Sequence, residues 1–160
     1  MEILRLHFDG SCAINPGGIA RYGWRISDLD GTMIEYGHGE VCRGPCATNN
    51  VAEWAAVTFG LRYFMSTKWI NDPTKVSGLA IYGDSNLVIN GLNRVWKVKK
   101  PHLQPYRDEC LRLLKSYKWT ADWIPREEND ECDALSNKRG ERNVIGHALA
   151  AYSVGFLPPR

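Results

Sequence analysis

The sequence has few of the features that hold a protein outside a cell or in a membrane. Its five cysteines, Cys12, Cys42, Cys46, Cys110 and Cys132, form no CxxC pair. An odd count at irregular spacing argues against a disulfide framework and against a structural zinc site. The opening MEILRLHFDG lacks a basic stretch followed by a long apolar run, so a secretory leader is not expected. No apolar run nears the roughly 18 residues that a membrane-spanning helix needs. Repeats and low-complexity segments are missing, as is any Ser-His-Asp or Cys-His nucleophile pattern. Charge of one sign is scarce too, since a net charge of +2 does not by itself imply a polyanionic partner. The expectation is a monomeric, cytoplasmic protein with reduced thiols and no membrane association. Its 160 residues suffice for one domain with its own core.

What is present is ordered by turn signals. Residues 3–8, 21–28 and 32–40 read as strands, separated by the Asn15-Pro16-Gly17-Gly18 turn and a hairpin through Asp28 and Gly31. Helical spacing runs over 50–66, with Thr48 or Asn49 available as its cap. Residues 78–83 read as a buried strand, and Asp84 or Ser85 can cap a short helix through Leu92. A basic connector over 93–101 leads to a helix at 103–116, a strand at 119–124 and a last helix from Asn129 or Asp130 to Lys138. Three strands that can form a meander, then strands alternating with helices, predict an α/β fold with a mixed sheet. Residues 1–140 are expected to form the domain and 141–160 a tail packed on it.

Four acids fall where chemistry is usually done. Asp9 follows the first strand and Asp84 the fourth, and ligand sites in open α/β sheets lie beyond the carboxyl ends of strands. Glu53 lies one turn into the first long helix, and Asp133 lies near the start of the last. Each has a plain alternative: Asp84 can cap a helix, and Glu53 can be a solvated acid favouring the helix dipole. Four converging carboxylates would repel and would need cations to coexist, and hard oxygen ligands suit Mg²⁺. Two such ions promote phosphodiester hydrolysis. The stretch WIPREENDECDALS packs five carboxylates into seven residues, from Glu127 to Asp133. Glu127, Glu128, Asp130 and Glu131 read as helix-start or solvent acids, with Glu131 an outside candidate for the site.

The segments FDGSCAINPGG, TNNVAEWAAV, IYGDSNLVINGL, WKVKKP and PREENDECDALSN resemble, in order and spacing, those of the type 1 ribonuclease H family. The resemblance covers roughly residues 3–138 and is greatest to members without a long basic insertion. It implies a five-stranded mixed sheet of order 3-2-1-4-5 flanked by helices. It also implies Mg²⁺- or Mn²⁺-dependent cleavage of the RNA strand of RNA–DNA hybrids by a two-metal-ion mechanism, leaving 3′-hydroxyl and 5′-phosphate ends. The acid of the DGS motif is Asp9, the Glu after TNN is Glu53, the acid of the DS motif is Asp84, and the last is Asp133. All four are expected to be catalytic and to bind two Mg²⁺ ions, with Mn²⁺ a substitute.

Substrate contacts carry over in the same way. Cys12 and Asn15 match positions near RNA 2′-hydroxyls, Asn49 and Asn50 a pair reaching into the minor groove, and Thr48 a DNA phosphate contact. Asn86 stands where many members have Gln. An A-like hybrid displays its 2′-hydroxyls across a wide minor groove, where short amides both donate and accept. Helix capping is the other reading of Asn49 and Asn50. From Arg94 to Lys118 there are eight basic residues against two acids, interleaved with Trp96, Tyr106, Tyr117 and Trp119. Trp96, Lys97, Lys99 and the adjacent Lys100 are candidates for holding the DNA backbone; a solvated face is the alternative.

The chain departs from the family in one loop. Many members carry a histidine between the fifth strand and the last helix, whereas here Arg126 stands in that loop. Arg126 can hold a phosphate but cannot shuttle protons near pH 7. His147 in the tail is a distant substitute, and His7 reads as a sheet-face residue. Two other functions remain open: another nuclease of the same fold acting on double-stranded RNA or DNA, and a non-catalytic hybrid-binding module.

Overall fold

Large apolar side chains at every second position of the first run make a strand with one dry face. The structure is a computed structural model that describes residues 2–142. Strand β1 (Glu2–Cys12) buries Leu4, Leu6 and Phe8 and lies at the centre of a five-stranded sheet of order β3-β2-β1-β4-β5. β2 (Ile19–Ser27) and β3 (Met33–Arg43) continue it as an antiparallel meander. On the other side β4 (Val76–Gly83) runs parallel to β1, and β5 (Trp119–Trp123) parallel to β4. The order and the antiparallel meander are those that the family resemblance implies.

Among the described residues four helices complete the architecture: α1 (Asn49–Ser66), α2 (Asn86–Leu92), α3 (Gln104–Leu114) and α4 (Asp130–Asn137). Twelve of the eighteen residues of α1 are buried, so this helix is enclosed on most sides rather than lying on the surface by one stripe. One of them is Arg62, whose guanidinium meets buried Glu109 of α3 at 2.9 Å. α1 and α4 cover opposite faces of the sheet. A Cβ on Gly10 would strike α1, whereas one on Gly23, the partner of Asp9 in the next strand, would strike α4. Among the described residues no helix is long and apolar enough to cross a membrane.

The boundaries differ from expectation where the two edges of β1 behave differently. The strand does not stop at residue 8; pairing with β2 carries it on through Asp9↔Gly23 to Cys12↔Ala20. The parallel ladder with β4 ends earlier, at His7↔Tyr82. Asp9 therefore lies within a strand, just past the point where its parallel neighbour stops. α3 is shorter than expected, and single 3-10 turns at Gly44–Cys46 and Arg126–Glu128 were not signalled by periodicity. The expected packing of the tail lies outside the described residues beyond Arg142. That residue donates its N–H to the His38 carbonyl and pairs with Glu35 at 2.7 Å.

Gly10 sets how near α1 comes to β1. An added Cβ there would sit 2.3 Å from Ala52 C and Glu53 N, main-chain atoms that cannot swing aside. Gly10→Ala should cost about 1–3 kcal/mol of folding free energy by overpacking. Urea denaturation would read the loss, and an unchanged midpoint would show slack between helix and strand.

Candidate active site

The unequal ladders bring two acids side by side. Asp9 and Asp84 each stand two residues beyond the last parallel pair, His7↔Tyr82, so neighbouring strands deliver them to one spot. Glu53 arrives from α1, which can approach because Gly10 has no side chain. Carboxylate oxygens of Asp9, Glu53 and Asp84 all lie within 4.8 Å of one another. Asp9 Oδ1 accepts the Gly10 N–H at 2.9 Å. Asp84 is not spent as a cap, because the Ser85 hydroxyl accepts the Val88 N–H that opens α2. Glu53 is not a solvated acid either: its Oε2 is buried with no donor among the described residues.

Such crowding favours protons or cations. Burial first, and then the charge of Asp84, push Asp9 up to about 7. Burial, followed by the charges of Asp9 and Asp84, holds Glu53 well above the usual carboxylate range. An acidic trio with a buried oxygen lacking a donor is a donor set for a hard divalent cation. The residues present fit such an ion.

Asp133 stands apart from the trio, on the rim of the same cleft of about 340 Å³. Its Oδ1 lies 3.6 Å from Arg126 Nη2 and 3.4 Å from Asn137 Nδ2, one helical turn on. Cys12, Asn49, Asn50 and Arg126 line this cleft together with the four acids. Thr48 caps α1 by accepting the Val51 N–H, which leaves the Asn49 and Asn50 side chains free of that task. Asn15 Oδ1 accepts the Asn49 N–H and ties the turn to the helix start. The Cys12 thiol is buried and donates to Ile14 O, so its sulfur is already engaged within the turn. Glu131 faces away and pairs with Arg25, which removes it as a candidate.

The remaining candidates lie outside the cleft. Asn86 is exposed at the start of α2. Trp96 and Lys97 border a separate hollow with Arg94 and Arg107, and Lys99 and Lys100 are exposed nearby. A further hollow, about 1000 Å³ beside α3 and β5, is lined by none of the four acids. His7 lies tilted against Tyr82, and burial with the charges of Arg25 and Arg5 pushes it down to about 4, so it is neutral at pH 7. His147 lies outside the described residues. Two neighbours of the acids were not singled out from the sequence, where Asn129 reads as the opening of the last helix and Trp123 as a strand residue. Asn129 donates to Phe8 O and Asp84, and Trp123 Nε1 donates to Asp84 O at 3.1 Å.

Because the folded protein holds protons on Asp9 and Glu53 more tightly than the unfolded chain does, metal-free stability should fall as pH rises from about 4 to 7. Thermal melts in EDTA should show a lower midpoint at pH 7.5 than at pH 5. Asp9→Asn should flatten that slope, and added divalent cation should raise the midpoint more at pH 7.5 than at pH 5.

Residues 7–139 match the family described as reverse transcriptase-like. The ribonuclease HI of Halobacterium salinarum is 31% identical over 133 residues, covering 82% of this chain and 61% of that protein. This chain thus spans less than two thirds of that relative. The ribonuclease H of Campylobacter curvus is 30% identical over 159 residues, covering 89% of this chain and 95% of its own length. Among solved structures, LC11-RNase H1 in complex with RNA/DNA hybrid aligns with a TM-score of 0.73 at 25% identity, over 82% of this chain and 92% of that one. The shared sheet order, the acidic trio at its parallel edge and these alignments agree: the chain belongs to the type 1 ribonuclease H family.

Proposed function

We propose that the protein is an endonuclease that hydrolyses the RNA strand of RNA–DNA hybrids, leaving 3′-hydroxyl and 5′-phosphate ends. The observation that carries this reading is the trio of acids within 4.8 Å, with a fourth acid across a cleft lined by amides. In this reading Asp9, Glu53, Asp84 and Asp133 hold two Mg²⁺ ions, with Mn²⁺ as a substitute. Bound there, the ions supply Lewis-acid activation of water and neutralise charge at the leaving oxygen. The single chain provides every acid, so no second copy is required. Free thiols at all five cysteines suit a reducing, cytoplasmic setting.

The chain's own side chains then have separate tasks. Asn49 and Asn50, released from capping, offer amides to 2′-hydroxyls in the minor groove. Asn15 and the main chain at Cys12 approach the same strand. Thr48 and Asn86, at helix starts where N–H groups favour anions, face the backbone. Arg126, largely exposed beside Asp133, holds the scissile or product phosphate and does not move protons. Trp96, Lys97 and Lys99 hold the DNA strand. Arg107 and Arg112 pair with Asp108 and Glu109, whereas Lys97, Lys99 and Lys100 make no ion pair among the described residues.

Incubating labelled hybrid, RNA duplex and DNA duplex with Mg²⁺ or EDTA tests the reading. Cutting of the hybrid's RNA strand should require the metal, and Asp84→Asn should reduce it to the EDTA background. Metal-independent cutting, or full activity in the variant, would overturn the mechanism. Preference for RNA duplex would shift the substrate assignment.

Neutralising Lys97, Lys99 and Lys100 together should raise KM and lower the slope of log affinity against log salt by about one unit for each phosphate no longer neutralised. Unchanged binding over a range of salt concentrations would return these lysines to the role of a solvated face.

A further inference from the structure

Asn129 precedes α4 and is 2% exposed. Its Nδ2 donates to Phe8 O at 2.9 Å and reaches Asp84 Oδ1 at 3.4 Å. Phe8 O belongs to the residue just before Asp9 and can only accept, so the amide nitrogen must face it. The carboxamide orientation is thereby fixed. The main chain of Asn129 is equally committed: its carbonyl accepts the Asp133 N–H at 3.0 Å, and its N–H donates to Arg126 O at 2.9 Å. One residue thus touches the strand carrying Asp9, the carboxylate of Asp84 and the backbone of Asp133.

Packing alone does not account for an asparagine here. Its Oδ1 is buried with no donor among the described residues, an unfavourable state that an apolar side chain of similar volume would avoid. What an apolar side chain could not do is donate to Asp84. A neutral donor also suits this place, because a lysine or arginine would compete with a cation for the same carboxylate.

We propose that Asn129 is a positioning residue for the acidic site, aiming the Asp84 carboxylate and locking the start of α4, which carries Asp133, to β1. Hydrogen-bonded partners behind ligating groups commonly govern metal affinity. This rests on the reading of the four acids as metal ligands, and the experiment separates the two.

Mn²⁺ binding to the metal-free protein is measured by calorimetry for wild type, Asn129→Leu and Leu114→Ala, alongside urea denaturation. Leu114 is buried in α3 and serves as a control for reduced stability. Asn129→Leu should weaken Mn²⁺ binding about 10–100-fold and lower kcat on hybrid with little change in KM. Leu114→Ala should leave Mn²⁺ affinity unchanged despite a comparable fall in stability. Should the leucine variant not fold, Asn129→Ser keeps a small polar group and should show the same change in smaller degree. Variants of Asn129 that bind Mn²⁺ as wild type does would overturn the proposal alone. Wild-type protein that binds no Mn²⁺ would overturn the metal-site reading and this proposal with it.

Discussion

Three carboxylates with oxygens within 4.8 Å repel one another, and the surrounding structure keeps them together. Asp9 and Asp84 cannot separate, because their strands are joined by a parallel ladder up to the second residue before each. Glu53 cannot withdraw without lifting α1, a helix buried over most of its surface and tied to α3 through Arg62 and Glu109. Folding energy from the core is thus committed to an arrangement that is unfavourable by itself. Raised carboxyl pKa values and a buried oxygen without a donor are its local signs. Strain of this kind at a site is relieved by what the site binds.

Much of the division of labour depends on neighbours that free the functional groups. Ser85 and Thr48 cap their helices, so Asp84, Asn49 and Asn50 need not. Among the basic residues beside α3 the same sorting occurs: arginines pair with Asp108 and Glu109, while lysines of the connector stay exposed. The count of basic residues in a segment therefore overstates what is available to a polyanion. Only the unpaired part of it is left uncompensated.

The four acids were legible as candidates because each stands in a motif bounded by turn residues, whereas the sheet order followed only from the resemblance to the family. Alternation in β1 and the small residues after Asp9 and Asp84 carried the signal. Less legible was the extent of β1, since pairing with β2 continues past the residues whose hydrophobicity defines the strand. Periodicity also understated α1, where residues such as Ala52, Ala56 and Gly60 are buried on sides that a single-stripe reading leaves to solvent. Asn129 was invisible for another reason. An asparagine before a helix reads as a cap, and only the fold shows its amide turned 121 positions back in the chain, to Phe8. Glu131 stood in the same acidic run as Asp133, and only the facing of α4 separates them.

The shared edge of β1 and β4 also works as a ruler. Strand separation in a sheet is set by main-chain hydrogen bonds at roughly 4.8 Å, whatever side chains the strands carry. Asp9 and Asp84 inherit that gauge directly from the backbone. Glu53 and Asp133, brought by helices, take their distances from side-chain packing, which shifts with every change of core volume. One pair of acids is therefore a fixed reference, and the other two are the adjustable members of the set.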